Sequence, residues 1–277
     1  MSDDKRTPAF IDAFSDMAKQ YASARPTYPA ALFECLAELA PATRCAWDCG
    51  TGNGQAAFGL AEHFDSVQAT DASAEQIGQA LPHPRVHYYV APAHATGLPD
   101  RSVDMISVAQ ALHWFDLDRF YAEVRRVARP RALLAVYGYD WFYLSPEIDP
   151  IVNRWLLRPI ESYWLPNLRL LWHRYRTIDF PFAELPEPRL AMYQSWNLDE
   201  MLSYYRTWSA ARGKIAAEGE HFLADARTAL AAVWGDPDRD CAAHVPRDAG
   251  GRAGGGPRGL RGRRRRRVLL RPPLAPG

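Results

Sequence analysis

A glycine-rich turn is the feature that most constrains the fold of this chain. Gly50, Gly52 and Gly54 follow an apolar run at 45–47, and an apolar helical pattern comes next over 55–61. The apolar run predicts a buried parallel strand, so the glycines lie at a strand-to-helix turn. Glycine permits positive φ and a close approach of a ligand to the backbone, and free N–H groups at a helix start attract anionic or polar groups. The turn therefore predicts a ligand-binding site.

Two aspartates narrow the kind of ligand. Asp71 ends a second apolar stretch, seventeen residues after Gly54, and an acid about 20 residues beyond such a turn is typical of ribose binding. The nicotinamide version of the turn has its third glycine where this chain has Gln55, and it does not carry Asp48. Together these residues resemble the first two motifs of the class I S-adenosylmethionine (SAM)-dependent methyltransferases. The resemblance implies SAM as the cofactor.

Alternating strands and helices continue as far as residue 139. Strands are predicted at 87–90, 105–109 and 133–137, and a helix at 117–128 separates the last two. This alternation predicts an α/β fold with a doubly wound, mostly parallel, Rossmann-like sheet. Ligands of such sheets bind at the carboxyl ends of the strands. The candidate cofactor-binding residues in those positions are Asp48, Gly50, Gly52, Gly54, Asp71, Ala93 and Gln110.

A narrower resemblance is carried by four further segments, 21–29, 111–116, 138–139 and 205–210. Their order and spacing over about residues 10–235 resemble the trans-aconitate methyltransferase type of enzyme, which has a methyltransferase type 11 domain. The resemblance implies a SAM-binding sheet, an N-terminal lid and an α-helical cap that shapes the acceptor pocket. It is much less specific for the substrate. The implied partner is a small-molecule acceptor, methylated on a carboxyl or hydroxyl oxygen.

The lid is predicted from the spacing of Tyr21, Arg25 and Tyr28. Pro26 and Pro29 indicate that a helix ends near Arg25, which leaves these side chains at a helix end that can fold over the glycine turn. Arg25 is able to pair bidentately with a carboxylate, either that of SAM or that of the acceptor. We assign Tyr21 and Arg25 to the cofactor and Tyr28 to the substrate. The alternative is an exposed arginine beside a turn, with tyrosines that only pack.

The predicted acceptor site follows the fourth and fifth strands, at His113, Trp114 and Tyr139. Methyl transfer from a sulfonium is an in-line displacement, so the enzyme mainly aligns the reacting atoms. A carboxylate acceptor needs no base, whereas a hydroxyl acceptor benefits from one, and His113 is the candidate catalytic base. The alternative for His113 is a structural hydrogen bond. Trp114 is predicted to form pocket wall.

Two positions depart from the pattern of the family. Ala93-His94 stands where relatives usually carry an acid after the third strand, so an acceptor for the adenine amino group is missing. Arg131 and Ala132 stand where relatives have two glycines. If either glycine served a positive φ, its loss costs about 1–2 kcal/mol of strain.

Charge is divided unequally along the chain. Residues 241–277 contain ten arginines and one acidic residue, with eight glycines and five prolines. Such a tail cannot build a core and is predicted to be disordered. No strand is predicted after Trp234, so the final antiparallel strand of the sheet is expected to be missing. One interpretation of the tail is a basic arm for nucleic acid; the one we prefer is GC-rich coding sequence translated in the wrong frame.

The predicted organisation has four parts. Residues 1–40 form the lid and first helix, 41–140 the SAM-binding core, 141–240 an aromatic-rich helical cap that returns to the sheet, and 241–277 the tail. No signal peptide and no membrane-spanning run is recognised, which predicts a cytoplasmic enzyme without a membrane partner. The four cysteines lack paired spacing, so no metal site is predicted. A monomer or a homodimer is expected, and only the tail hints at nucleic acid.

Three functions from different classes are compatible with these observations. The first is an active small-molecule methyltransferase. The second is a truncated family member that binds SAM but is catalytically impaired, which the tail and the two departures favour. The third is a nicotinamide-dependent oxidoreductase on a similar sheet.

Overall fold

The computed structural model describes residues 26–139, 142–173, 175–186, 188, 190–238, 240–245 and 269–271. Its strands are β1 (Ala46–Cys49), β2 (Val67–Asp71), β3 (Val86–Val90), β4 (Val103–Ala109), β5 (Ala128–Tyr137), β6 (Met192–Trp196), β7 (Cys241–Val245) and β8 (Leu269–Arg271). The larger sheet has the order β3-β2-β1-β4-β5-β8, and β6 pairs with β7. Strands β1 to β5 are parallel. The predicted doubly wound, mostly parallel sheet is confirmed.

Helices cover the larger sheet and build a cap beside it. The α-helices are α1 (Ala30–Leu39), α2 (Gln55–Ala61), α3 (Ala74–Gly78), α4 (Leu117–Val127), α5 (Ile148–Val152), α6 (Leu168–Trp172), α7 (Leu198–Arg206), α8 (Ser209–Glu218) and α9 (His221–Trp234). A π-helical turn at Asn153–Leu157 and 3-10 helices at Leu112–Trp114 and Arg158–Tyr163 complete the set. Helix α4 confirms the predicted helix at 117–128. Among the described residues, no helix is long and apolar enough to cross a membrane.

Apolar side chains pack on both faces of the larger sheet. On one face, Ile106 and Leu134 belong to a cluster with the buried side of α4. On the other face, Met105 and Leu133 belong to a cluster with α1 and α2. Neighbouring residues of one strand point to opposite faces, so a strand with both faces covered is apolar throughout. This explains the continuous apolar run from Ala132 to Tyr137 in β5.

The cap has an apolar core of its own. Trp196 of β6, Tyr205 of α7 and Leu230 of α9 are buried in one cluster with the residues around 148–160. The hydroxyl of Tyr205 donates to the main-chain oxygen of Leu156, which ties α7 to the π-helical turn. The cap is therefore a packed unit able to hold side chains in place above the sheet.

The order of the strands places a crevice between β1 and β4. Successive strands run outward from β1 in one direction, to β2 and β3, and then return to β4 on its other side. Ligands of doubly wound sheets bind at such a reversal, outside the carboxyl ends of the strands. The glycine turn after β1 lies at this point.

The expectation that no strand follows Trp234 is wrong. Strand β7 pairs antiparallel with β6, and β8 pairs antiparallel with β5 through Val136 and Leu269. The final antiparallel strand is therefore present. The composition of the tail, averaged over its length, hid two short apolar runs. The edge of β5 offers N–H and C=O groups to one of them, and β6 offers them to the other. The prediction of disorder otherwise concerns residues 246–268 and 272–277, which lie outside the described residues.

Truncation tests whether these two strands stabilise the fold. A chain that ends at Asp240 loses both ladders, and each hydrogen bond contributes about 0.5–1.5 kcal/mol net. We expect its Tm to fall by several degrees. A chain that ends at Val245 keeps β7 and separates the two contributions. If both truncated chains have the same Tm as the full chain, the tail does not stabilise the fold. The hypothesis that it is translated out of frame then gains support.

One of the two departures from the family pattern has a structural consequence. Arg131 has a φ of 68°, in the left-handed region, and its side chain is exposed. It lies in β5 next to an irregularity in the pairing with β4, between Val103 and Met105. A side chain other than glycine is strained in this conformation.

Arg131→Gly is expected to stabilise the protein. Relief of about 1–2 kcal/mol of strain exceeds the entropic cost of a glycine, about 0.5–1 kcal/mol. The free energy of unfolding, measured in urea, should therefore rise by a few tenths to about 1 kcal/mol. Ala132→Gly is the matched control, because Ala132 is buried and is not among the residues with positive φ. Ala132→Gly should lower the free energy of unfolding. A loss of stability in Arg131→Gly would contradict the assignment of strain.

Candidate active site

The glycine turn has the predicted backbone geometry. Gly50 and Gly54 have φ of 72° and 90°, and Gly54 is the N-cap residue of α2. A Cβ on Gly50 would lie 2.6 Å from the Cβ of Ala111, and a Cβ on Gly54 would collide with the hydroxyl of Tyr88. The main-chain N–H of Gly50 donates to the oxygen of Thr70 at 2.8 Å, which fixes the turn against β2. These positions therefore require glycine for both conformation and space.

Asp71 is held beside this turn by the backbone. Its Oδ2 accepts from the N–H of Gly52 at 2.9 Å, and its Oδ1 accepts from the N–H of Ser73 at 2.8 Å. An ionised carboxylate has about four acceptor positions, so each oxygen keeps one for a ligand. Asp71 lines the cavity described below. It is thus a rigid acceptor at the carboxyl end of β2.

Asp48 lies behind the turn. It is fully buried in β1, and its Oδ2 accepts from the hydroxyl of Thr51 at 2.6 Å. Its Oδ1 has no hydrogen-bond partner among the described residues. Burial raises the pKa of this carboxyl to about 6, although the hydrogen bond from Thr51 opposes the shift. Thr51 lines the cavity whereas Asp48 does not, so Asp48 contacts the site through Thr51.

Gln110 connects the carboxyl ends of β4 and β5. Its φ of 54° is unusual for a residue other than glycine, and such strain is common at functional sites. Its Nε2 donates to the main-chain oxygen of Tyr139 at 2.6 Å. Ala93 and His94 line the same cavity after β3.

Three aromatic side chains also line this cavity. Tyr28 packs edge-on against Tyr137, with ring centroids 5.1 Å apart, and lies 5.9 Å from Tyr139. Burial raises the pKa of Tyr28 well above its usual value, so the hydroxyl stays neutral. Trp114 is 55% exposed and lines the cavity. The three candidate substrate residues Tyr28, Trp114 and Tyr139 are thus brought together at one cavity.

His113 does not line this cavity. Its side chain is buried, its Nδ1 lies 3.0 Å from the hydroxyl of Tyr175, and it is not among the described residues that line the cavity. Its main-chain oxygen accepts from the side chain of Asn167. Burial lowers the pKa of the imidazole to about 4, so it is neutral at physiological pH. The geometry favours the structural alternative for His113 over a catalytic base.

The cavity has a volume of about 1220 Å³ and is lined by residues of the turn, the strand ends and the cap. The cap contributes Thr207, which lies in the segment 205–210 that carries the resemblance, and Arg212, which sequence analysis did not single out. The segment 205–210 pointed to this region, but nothing in its spacing indicated that Arg212, two residues further on, reaches the cavity. Tyr21 and Arg25 lie outside the described residues, so their assignments remain predictions.

A glycine turn and a backbone-held acid at the switch point of a doubly wound sheet are typical of nucleoside-binding α/β proteins. Residues 47–136 match the family described as a methyltransferase domain. A Dictyostelium discoideum protein named as a methyltransferase is 30% identical over 235 residues, which cover 83% of this chain and 89% of that protein. A solved structure from Anaeromyxobacter dehalogenans, described as a type II methyltransferase, is 48% identical with a TM-score of 0.75, covering 79% of this chain and 94% of the other.

This chain belongs to the SAM-dependent methyltransferase family, and its cofactor is SAM. A Saccharomyces cerevisiae protein described as a SAM-dependent methyltransferase is also similar, at 29% identity over 46% of this chain and 45% of that protein. The nicotinamide-dependent alternative is not favoured. The trans-aconitate type within the family is not distinguished by these similarities.

The residues present fit SAM. The glycine turn leaves no Cβ between backbone and ligand, and Asp71 presents free acceptor positions to a ribose. The cavity exceeds the usual range of about 300–1,000 Å³ for one ligand, which leaves room for a cofactor and an acceptor together. SAM supplies an electrophilic methyl group on a sulfonium when it is bound.

Proposed function

We propose that this methyltransferase methylates an oxygen of a small-molecule acceptor, as in the trans-aconitate type of enzyme that its segments resemble. The observation that carries the proposal is the lining of the cavity. It combines the glycine turn and Asp71 with the aromatic side chains of Tyr28, Trp114 and Tyr139. Aromatic side chains are common in pockets for small organic molecules. The predicted cytoplasmic location and the choice between monomer and homodimer remain predictions.

The residues are assigned roles on this basis. Asp71 accepts the ribose hydroxyls, and the turn from Gly50 to Gly54 receives the methionine part. Asp48 is a positioning residue that holds Thr51 against the cavity. Gln110 fixes the strand ends between cofactor and acceptor. The aromatic residues align the acceptor, which is the main contribution a protein makes to an in-line displacement.

A carboxylate is the acceptor group that this site supports best. The imidazole of His113 does not line the cavity, lies within hydrogen-bonding distance of the Tyr175 hydroxyl and has a lowered pKa, so it is a weak base that is poorly placed to take a proton from a hydroxyl acceptor. A carboxylate is already ionised at neutral pH and needs no base. One argument for a catalytically impaired, truncated protein no longer holds, because the final antiparallel strand is present.

The stability of methylated products in alkali tests the type of oxygen. Methyl-labelled SAM is incubated with the protein and a panel of organic acids and phenols, and the products are treated with base. Methyl esters release labelled methanol, whereas methyl ethers do not. Volatile label is expected. Products that keep their label in alkali would show hydroxyl chemistry, and the absence of transfer to any acceptor, with SAM bound, would favour the impaired alternative.

His113→Asn is expected to affect stability more than catalysis. Its folded pKa lies below the usual value, so its contribution to stability is present above about pH 6.5 and is lost as pH falls towards 4. The kcat of the folded variant should stay within about tenfold of the wild-type value, because a general base contributes about 10²–10⁴-fold. Tyr175→Phe, which removes the same hydrogen bond, is the control. If His113→Asn lowers kcat a hundredfold and Tyr175→Phe does not, His113 is the catalytic base after all.

A further inference from the structure

Arg212 is a charged side chain of the cap that reaches the cavity. It lies in α8, four residues into the helix, and it lines the cavity together with Thr207. The other ionisable residues of the described lining include three carboxylates, Asp71, Glu75 and Asp116. Arg212 is the single permanently cationic side chain among the described residues of that lining. Arg212 is therefore the candidate residue for binding an anionic group in this cavity.

Arg212 also lacks a partner of opposite charge in the described part of the chain. Two other arginines of the cap have one. Arg206 lies 3.7 Å from Glu220, and Arg227 lies 3.0 Å from Asp199. A side chain that carries five N–H donors and is suited to planar oxyanions is left available where the cavity meets the cap.

The position of Arg212 in its helix argues against a role in helix stability. Helix α8 has no acidic residue in its first turn and no side-chain cap. The N-terminus of a helix carries partial positive charge, so a cation close to it is unfavourable, whereas an anion is stabilised. An anion bound at Arg212 would interact favourably with both the guanidinium and the start of α8.

We propose that Arg212 binds an oxyanionic group of the acceptor that is separate from the atom receiving the methyl group. The proposal rests on the proposed function, because it concerns the acceptor of that reaction. The residues assigned to the cofactor lie at the carboxyl edge of the sheet, whereas Arg212 lies on the cap. A guanidinium engages the lone pairs of the oxygens it binds, which makes them poor nucleophiles. Arg212 is therefore an anchor that selects acceptors, and the methylated atom lies towards Trp114 and Tyr139.

Binding to the S-adenosylhomocysteine complex tests the proposal without requiring turnover. The probes are small carboxylic acids, their neutral amides, and phosphate monoesters of similar size, measured by calorimetry. The wild-type complex should prefer anionic probes over the amides by about tenfold to a hundredfold, the effect of one charge-assisted hydrogen-bonded pair. Arg212→Gln should abolish the preference, and Arg212→Lys should retain part of it. The carboxylate and phosphate arms identify which oxyanion is bound.

Arg158→Gln is the matched control, because Arg158 is an exposed arginine of the cap outside the cavity lining. It should keep the full preference. The proposal is overturned if wild type shows no preference for anions, if no anionic probe binds, or if Arg212→Gln retains the preference. It is also overturned if Arg212→Gln weakens S-adenosylhomocysteine binding alone, since the guanidinium then serves the cofactor. Failure of wild type to bind S-adenosylhomocysteine would instead refute the proposed function itself.

Discussion

Asp71→Ala is expected to weaken SAM binding about tenfold to a hundredfold, since a hydrogen bond to a charged acceptor is worth about 1.5–3 kcal/mol. The backbone N–H groups of Gly52 and Ser73 hold the carboxylate in place, so no reorganisation reduces its contribution. Loss of the side chain also frees the N–H of Gly52, which loosens the glycine turn. Calorimetric titration with SAM and with S-adenosylhomocysteine measures the effect.

Two further variants make this result specific. Asp71→Asn keeps the size of the side chain and should lose most of the affinity, because the amide has one acceptor oxygen where the carboxylate has two. Asp65→Ala removes an exposed acid just before β2 and should bind SAM as wild type does. If Asp71→Ala binds SAM within a factor of two of wild type, the ribose assignment is wrong.

Asp48→Asn is expected to stabilise the protein at neutral pH and to weaken the active site. Ionised Asp48 is fully buried, with one oxygen unpartnered among the described residues. The rise of its pKa from 3.8 to about 6 corresponds to a cost on the order of 3 kcal/mol above pH 6. Neutral asparagine avoids this cost, so we expect a gain on the order of 1–3 kcal/mol at pH 8.

The sign of the pH dependence follows from the raised pKa. Because the folded state binds the proton more tightly than the unfolded state, the stability from Asp48 is fully present below about pH 4 and is lost as pH rises to about 6. The stability of Asp48→Asn should not fall over this pH range. Urea unfolding at several pH values checks it, with Asp65→Asn as an exposed control. If the stability of wild type and of Asp48→Asn depends on pH in the same way, the buried Asp48 carboxylate does not cause the loss of stability.

The affinity of Asp48→Asn for SAM separates stability from function. Thr51 donates to Asp48, and an amide accepts this hydrogen bond less strongly than a carboxylate does. SAM binding should therefore weaken while the fold becomes more stable. This outcome would show that the buried charge of Asp48 serves to position Thr51 in the cavity, at a cost in stability.

The core of the fold was predictable because its signals are local. The apolar run before Gly50, the helix at 117–128 and the spacing from Gly54 to Asp71 each need only a short window of sequence. Strand β1 itself includes Asp48, which an apolarity pattern excludes from a buried strand. The sequence pattern therefore located the sheet and the glycine turn, and missed only a strand boundary there.

The parts that were not predictable depend on tertiary context. Strand β8 was missed because three residues in an arginine-rich tail form a strand only against the edge of β5. His113 follows β4 as expected, yet its side chain turns towards Tyr175, 62 positions further on. Arg212 reaches the cavity because the cap folds over the sheet. Contacts over such separations leave no periodic signal in the sequence.

The central claim is that this protein transfers a methyl group from SAM to a small molecule. The most direct test incubates it with methyl-labelled SAM and a complete cell extract, and then separates metabolites from macromolecules by size. We predict label in the small-molecule fraction, dependent on Asp71 and reduced by excess S-adenosylhomocysteine. Label found only in protein or nucleic acid would contradict the claim.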